Sequence, residues 1–160
     1  MHRVTALFSR NSGFSLIELV VVLVVLAIVA AVAAIQFGGS SSSLGPQADQ
    51  LVSDIRYVQS LSMTRNAHYC IAFTAVSYTI TTNNCTTPVQ LPTSANPVLL
   101  ASGLTLTTTN NLLTFNTLGR PFTDAAAAMA LPAEAVITLS AGSDTLTVRV
   151  TPETGRVRVQ

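Results

Sequence analysis

The chain has 160 residues, a formal net charge of +1 and 9% charged residues, and every basic residue other than histidine is an arginine. That length suits one domain plus an anchor segment. The balanced charge argues against a general electrostatic hold on nucleic acid and leaves open only a local patch. The inventory also speaks against enzyme chemistry. The acids Asp49, Asp54, Asp124, Glu134, Asp144 and Glu153 are scattered singly, His68 is the lone histidine beyond the N-terminal stretch, and no calcium loop, nucleophile elbow or phosphate loop is present. No catalytic, cofactor-binding or metal-ligating residue is assigned, and no cofactor is implied.

Met1 to Gly13 carries Arg3 and Arg10 and no acid. Positive charge before the first apolar segment predicts a cytoplasmic N-terminus. From Leu19 to Ile35 every residue is apolar. With Phe14, Leu16 and Ile17 the stretch reaches about 20 apolar residues, the length a helix needs to cross a bilayer. The expectation is a single membrane-spanning helix over 14–37. Its alanines, Ala27, Ala30, Ala31, Ala33 and Ala34, would permit close helix packing. An ordinary secretory signal cut near Ala31-Val32-Ala33 is the competing reading. Against it, the apolar run exceeds the usual 7–15 residues and has Glu18 at its start. A carboxylate costs roughly 2.5–3.5 kcal/mol at the centre of a membrane helix. Glu18 therefore either reaches the interface or has a partner.

The string Gly13-Phe14-Ser15-Leu16-Ile17-Glu18-Leu19 resembles the class III signal of type IV pilins and type II secretion pseudopilins. The resemblance implies an α+β, pilin-like fold, with a long N-terminal α-helix packed on an antiparallel β-sheet head. The helix would have a membrane-spanning half and an amphipathic half. It also implies a leader over 1–13, a prepilin peptidase/N-methyltransferase that cuts after Gly13 and methylates the Phe14 amine, and other pilin or pseudopilin subunits as partners. Glu18 would pair with the N-terminal amine of a neighbouring subunit, since an unpaired buried charge is strongly penalised. The location implied is the bacterial inner membrane, single-pass with the head periplasmic, and then a pilus or pseudopilus.

Residues 38–46 combine Gly38-Gly39, four serines and Leu44-Gly45-Pro46, poor helix material that reads as a flexible segment. A second helix is expected over 47–66. Leu44, Ala48, Leu51, Val52, Ile55, Val58, Leu61 and Ser62 form its apolar stripe. Asp49, Asp54, Arg56, Gln59 and Arg65 fall off the stripe, and the stripe reads as core.

A β-rich head follows over 67–160. Tyr69, Ile71 and Phe73, then Val76, Tyr78 and Ile80, alternate with other residues and predict a hairpin turning near Thr74-Ala75. Cys70 and Cys85 are the only cysteines. In an oxidising compartment a bridge between them is the default, worth roughly 3 kcal/mol for a loop of about 15 residues. The alternative, a metal pair with His68, is a poor zinc set. Pro88, Pro92 and Pro97 mark 83–97 as a surface loop and a candidate for partner contact. Leu104–Leu106 and Leu112–Phe115 flank Asn110-Asn111 and predict a tight hairpin. Asp124 caps an alanine run to Met129 that reads either as one helical turn or as an irregular edge. Three meandering strands close the chain: Val136–Leu139, Leu146–Val150 and Arg156–Val159. Leu146, Val148, Val150, Val157 and Val159 share one face; Thr147, Arg149, Arg156 and Arg158 share the other.

The segment from Phe115 to Pro121 and the closing Gly155-Arg156-Val157-Arg158-Val159 are similar to the H-type minor pseudopilins and their minor-pilin relatives. Those relatives include a minor pilin of the mannose-sensitive haemagglutinin (MSHA) pilus and the FimT-type pilins of natural transformation. This resemblance implies a structural subunit that helps initiate or cap a type IV, MSHA-like pilus. It leaves open an H-type minor pseudopilin of a type II secretion system and a DNA-binding pilin of FimT type. For the last, Arg149, Arg156 and Arg158 are the candidate nucleic-acid contacts, their guanidinium forks being suited to phosphates. No aromatic residue alternates with them to stack bases. The same charges also protect an edge strand from aggregation.

Overall fold

The computed structural model describes residues 15–37, 43–82, 84–92 and 94–160. The cleavage residues Gly13 and Phe14, the leader and the Gly/Ser run 38–42 lie outside the described residues. The chain divides into two units, Met1–Gly39 and Ser40–Gln160, each described by itself.

The first unit holds α1, Leu16–Phe37. The carbonyl of Ser15 accepts the first helical bonds, from the N–H groups of Glu18 and Leu19. Every described side chain of α1, from Leu16 to Ala31, is exposed. The expectations of a membrane-spanning half-helix and a single-pass inner-membrane location are corrected here. Among the described residues no helix is long and apolar enough to cross a membrane.

The second unit begins with α2, Leu44–Arg65, preceded by Ser43 as N-cap. The helix thus starts ahead of residue 47. Pro46 falls in its first turn, where a missing N–H costs no helical bond. Asn66 ends it in the left-handed conformation, φ 50°, its N–H donating to the Ser62 carbonyl. Leu44, Ala48, Leu51, Val52, Ile55, Val58 and Ser62 are buried. Asp54 is buried as well, which corrects its place off the stripe.

Two antiparallel sheets face this helix. In the first, β1 (Tyr69–Phe73) lies between β2 (Ser77–Thr82) and β6 (Leu112–Phe115). Beyond them lie β3 (Thr87–Pro88) and β4 (Val98–Leu99), both on β2, and β7 (Pro121–Phe122) on β6. The second sheet has the order β10 (Val157–Val159), β9 (Asp144–Val150), β8 (Ala135–Ala141), β5 (Leu104–Thr108). α2 packs on β1 and β6 of one sheet and on β8, β9 and β10 of the other. Leu51, Ile55, Val58, Ile71, Ile80, Leu113, Phe115, Ile137, Leu139, Val148 and Val150 fill the space between, all fully buried. Burial of large apolar side chains at about 1.5–3 kcal/mol each holds helix and sheets together.

Two turn regions depart from expectation. Leu104–Leu106 and Leu112–Phe115 do not form a hairpin: β5 pairs with β8, whereas β6 pairs with β1 and β7. Asn110 and Asn111 are not among the positive-φ residues, so the tight primed turn is not made. Leu104 and Leu106 on β5 and Leu113 and Phe115 on β6 all reach the core, from different sheets. That burial outweighs the local turn preference. The alanine run is a turn rather than a helix. Both Asp124 carboxylate oxygens accept the Ala128 N–H, Oδ1 also accepts that of Met129, and Ala127 takes φ 53°. The backbone bonds from Met129 first, and those from Ala128 and its neighbours, hold the Asp124 carboxyl below the usual carboxylate range.

The proline-rich loop is stitched to the sheet rather than loose. Asn96 Oδ1 accepts the Ile80 N–H at 3.0 Å, and Nδ2 donates to the carbonyls of Ile80 at 2.6 Å and Val89 at 2.8 Å. One side-chain amide thus serves β2 as a neighbouring strand would. Asn96→Ala is expected to cost about 2 kcal/mol, since it strands the Ile80 N–H, while the Ile80 carbonyl keeps the Val89 N–H. A lowered urea midpoint with unchanged slope checks it.

Candidate functional site

α1 offers a bare apolar surface with one charge. Leu16 is 81% exposed and Val20 46% exposed, and Glu18 is the acid of the first turn. All the described apolar side chains of this helix are open. A carboxylate buried without a cation is strongly penalised, which would apply to Glu18 wherever this surface were covered.

The C-terminal arginines are placed by the β9–β10 register, which sets Arg158 opposite Arg149. Both turn to one acid. Arg149 Nη1 donates to Glu134 Oε2 at 3.0 Å, and Arg158 Nη2 donates to Glu134 Oε1 at 2.6 Å. The Arg149 hydrogen bond first, then the charge and hydrogen bond of Arg158, hold the Glu134 carboxyl below its usual range against the opposing effect of desolvation. Arg156 is exposed and does not join this cluster through any hydrogen bond or ion pair found among the described residues. The three arginines therefore do not form one uninterrupted cationic face. Glu134 was the residue missed by sequence reasoning. It lies just before β8, and only the β8–β9 pairing brings it to Arg149.

The two segments that carry the C-terminal resemblance meet at one end of the head. Asn116 Oδ1 accepts the N–H groups of Leu118 at 3.0 Å and Arg120 at 2.9 Å, closing the β6–β7 turn. Arg120 pairs with Glu153 in the β9–β10 turn. From α2, Gln59 Nε2 donates to the carbonyls of Gly119 and Thr154, both at 2.9 Å, and Arg56 Nη2 donates to the Val157 carbonyl at 3.0 Å. Gln59 and Arg56, which lie off the apolar stripe in the sequence reading, tie the helix to both turns and to β10.

Cys70 and Cys85 form a disulfide with Cα atoms 5.4 Å apart. Inside the head, the Tyr78 hydroxyl donates to Asp54 Oδ2 at 2.6 Å. Desolvation raises the Asp54 carboxyl, against the lowering effect of this bond; desolvation and the adjacent carboxylate both push the Tyr78 phenol up. Among the described residues no group of three or more His, Cys, Asp or Glu is arranged to hold a metal ion.

Residues 8–34 match the family model described as a prokaryotic N-terminal methylation motif. No curated protein matches the chain. Among solved structures, the chain is similar to the type IV minor pilin FimU of Pseudomonas aeruginosa strain PAO1. The identity is 16% and the TM-score 0.52, over 75% of this chain and 90% of that one. A second crystal form of FimU aligns with TM-score 0.50 at 16% identity, over 73% and 92%. The minor pseudopilin EpsH from the type 2 secretion system of Vibrio cholerae aligns with TM-score 0.57 at 11% identity, over 74% and 96%. The fold of this chain, with a helix laid against two antiparallel sheets, is thus similar to the folds of FimU and EpsH.

Proposed function

We propose that this chain is a structural subunit of a pilus-type or pseudopilus-type filament. The observation that carries this reading is the methylation motif over 8–34 standing ahead of a head with the minor pilin fold. A prepilin peptidase cuts after Gly13, and the Phe14 amine becomes the methylated N-terminus. In the filament core the exposed apolar side chains of α1 pack against sister helices. Glu18 of one subunit then meets the amine of another, the one cation that such a core supplies. A minor subunit of this kind initiates or caps a type IV, MSHA-like pilus. The TM-score of 0.57 with EpsH favours a second reading, an H-type minor pseudopilin. Co-purification with a major pilin or with a major pseudopilin separates the two.

Mass spectrometry of the mature protein should find Phe14 first and methylated. Glu18→Val should leave the head folded and reduce incorporation into filaments at least tenfold; incorporation at the wild-type level would falsify the pairing. The DNA-uptake reading through Arg149, Arg156 and Arg158 is the weaker one, because Glu134 engages two of the three guanidinium groups. Gel-shift titration of the full chain is expected to show no salt-dependent DNA binding, and its appearance would restore that reading.

A further inference from the structure

The Cys70–Cys85 disulfide joins two unlike environments. Cys70 lies in β1, between β2 and β6, and is 0% exposed. Cys85 is half-buried in the turn that follows β2. It and Asn84 both hold positive φ, 62° and 55°, a conformation that residues with side chains rarely adopt. Asn84 also lines an open hollow of about 280 Å³ with Ala67, His68 and Thr82. Directly opposite Cys70 on β6 is Thr114, itself 0% exposed. Its hydroxyl lies 3.5 Å from Cys70 Sγ and 3.7 Å from Cys85 Sγ. A hydroxyl within reach of both sulfurs is placed to donate to whichever becomes a thiolate.

We propose that Cys85 is a site of thiol–disulfide exchange, attacked by an external thiolate, with Cys70 as the leaving sulfur. The incoming thiolate bonds to Cys85 Sγ as the Cys85–Cys70 bond breaks, and the electron pair departs on Cys70 Sγ. The Thr114 hydroxyl donates to that thiolate. A second external thiolate then attacks the mixed disulfide, takes the first thiol away as an external disulfide and leaves Cys85 as a thiolate. The pair is thereby reduced by two electrons and the external thiol oxidised. Complete burial shields the Cys70 sulfur from attack while Cys85 is only half-buried, so the exchange is directional. By reversibility, an external disulfide installs the bond through the same adduct on Cys85.

The test treats the native full chain with reduced glutathione, quenches with acid and maps the adduct by peptide mass spectrometry. The expected result is glutathione on Cys85 and a free thiol on Cys70, formed faster than global unfolding. Thr114→Val should slow the exchange roughly tenfold, the weight of a hydrogen bond to a developing charge, with its thermal midpoint unchanged. In single-cysteine variants, Cys70→Ser should leave a Cys85 that reacts readily with a disulfide probe, and Cys85→Ser a Cys70 that does not. Glutathione on Cys70, a reactive Cys70 in Cys85→Ser, or reduction no faster than unfolding overturns the proposal. An unchanged rate in Thr114→Val overturns the role of the hydroxyl.

Discussion

Gly155→Ala is expected to destabilise the head by roughly 3–5 kcal/mol, from the sum of backbone strain and overpacking. Gly155 closes the β9–β10 turn at φ +62°, its N–H donating to the Thr151 carbonyl. A Cβ there would sit 2.6 Å from Gln59 Nε2, 2.8 Å from the Gly119 carbonyl oxygen and 3.0 Å from Phe115 Cε1. Two of these neighbours cannot yield cheaply. The Gly119 oxygen is backbone in a turn held by Asn116, and Phe115 is fully buried. Moving Gln59 breaks the bonds that tie α2 to both turns. Gly142→Ala is the control. It has the same φ of +62° but nothing within 4 Å of its Cβ, so only the conformational cost of about 1–2 kcal/mol remains. Urea denaturation of both variants separates strain from collision. Equal losses at the two positions would show that the clamp around Gln59 contributes nothing.

Tyr78→Phe is expected to cost roughly 2–3 kcal/mol at pH 7 and about 1 kcal/mol near pH 4. Asp54 is 6% exposed and has the Tyr78 hydroxyl at 2.6 Å. Removing the phenol leaves a buried carboxylate without this donor. The direction with pH follows from the raised Asp54 carboxyl. Desolvation lifts its folded-state pKa above the unfolded value near 4, so the unfolded chain releases its proton first. The contribution of Asp54 to stability is therefore fully present below the unfolded pKa and is lost as pH rises through the folded one. Without Tyr78 the folded pKa climbs further and the loss at neutral pH deepens. Denaturation midpoints of wild type and Tyr78→Phe at the two pH values read this directly. A difference between them that stays constant with pH would show that the Tyr78 bond does not shift the titration of Asp54 in this range.

Local periodicity determined much of the head. The β1–β2 hairpin and the β8–β9–β10 meander follow from strict alternation, because half-buried strands keep apolar residues on one face. The apolar stripe of α2 follows from its 3.6-residue period. The resemblance carried by Gly13 to Leu19 lies in a short contiguous run, inside the residues 8–34 that match the methylation-motif model. Length of apolar sequence was a poorer guide. Counting residues from Phe14 to Phe37 suggested a membrane span, and no described helix is long and apolar enough to make one.

What the tertiary structure alone decided are the relations between distant residues. Asn110-Asn111 looks like a hairpin turn, yet the flanking strands enter different sheets, because each satisfies its burial against a partner far away in sequence. Asp54 and Gln59 look like surface residues of a helix, yet one meets Tyr78 and the other two turn carbonyls. Glu134 gives no local sign that it will neutralise Arg149 and Arg158. Each element's period is written in neighbouring residues, but the partner of a polar side chain depends on sheet pairing, which no local stretch encodes.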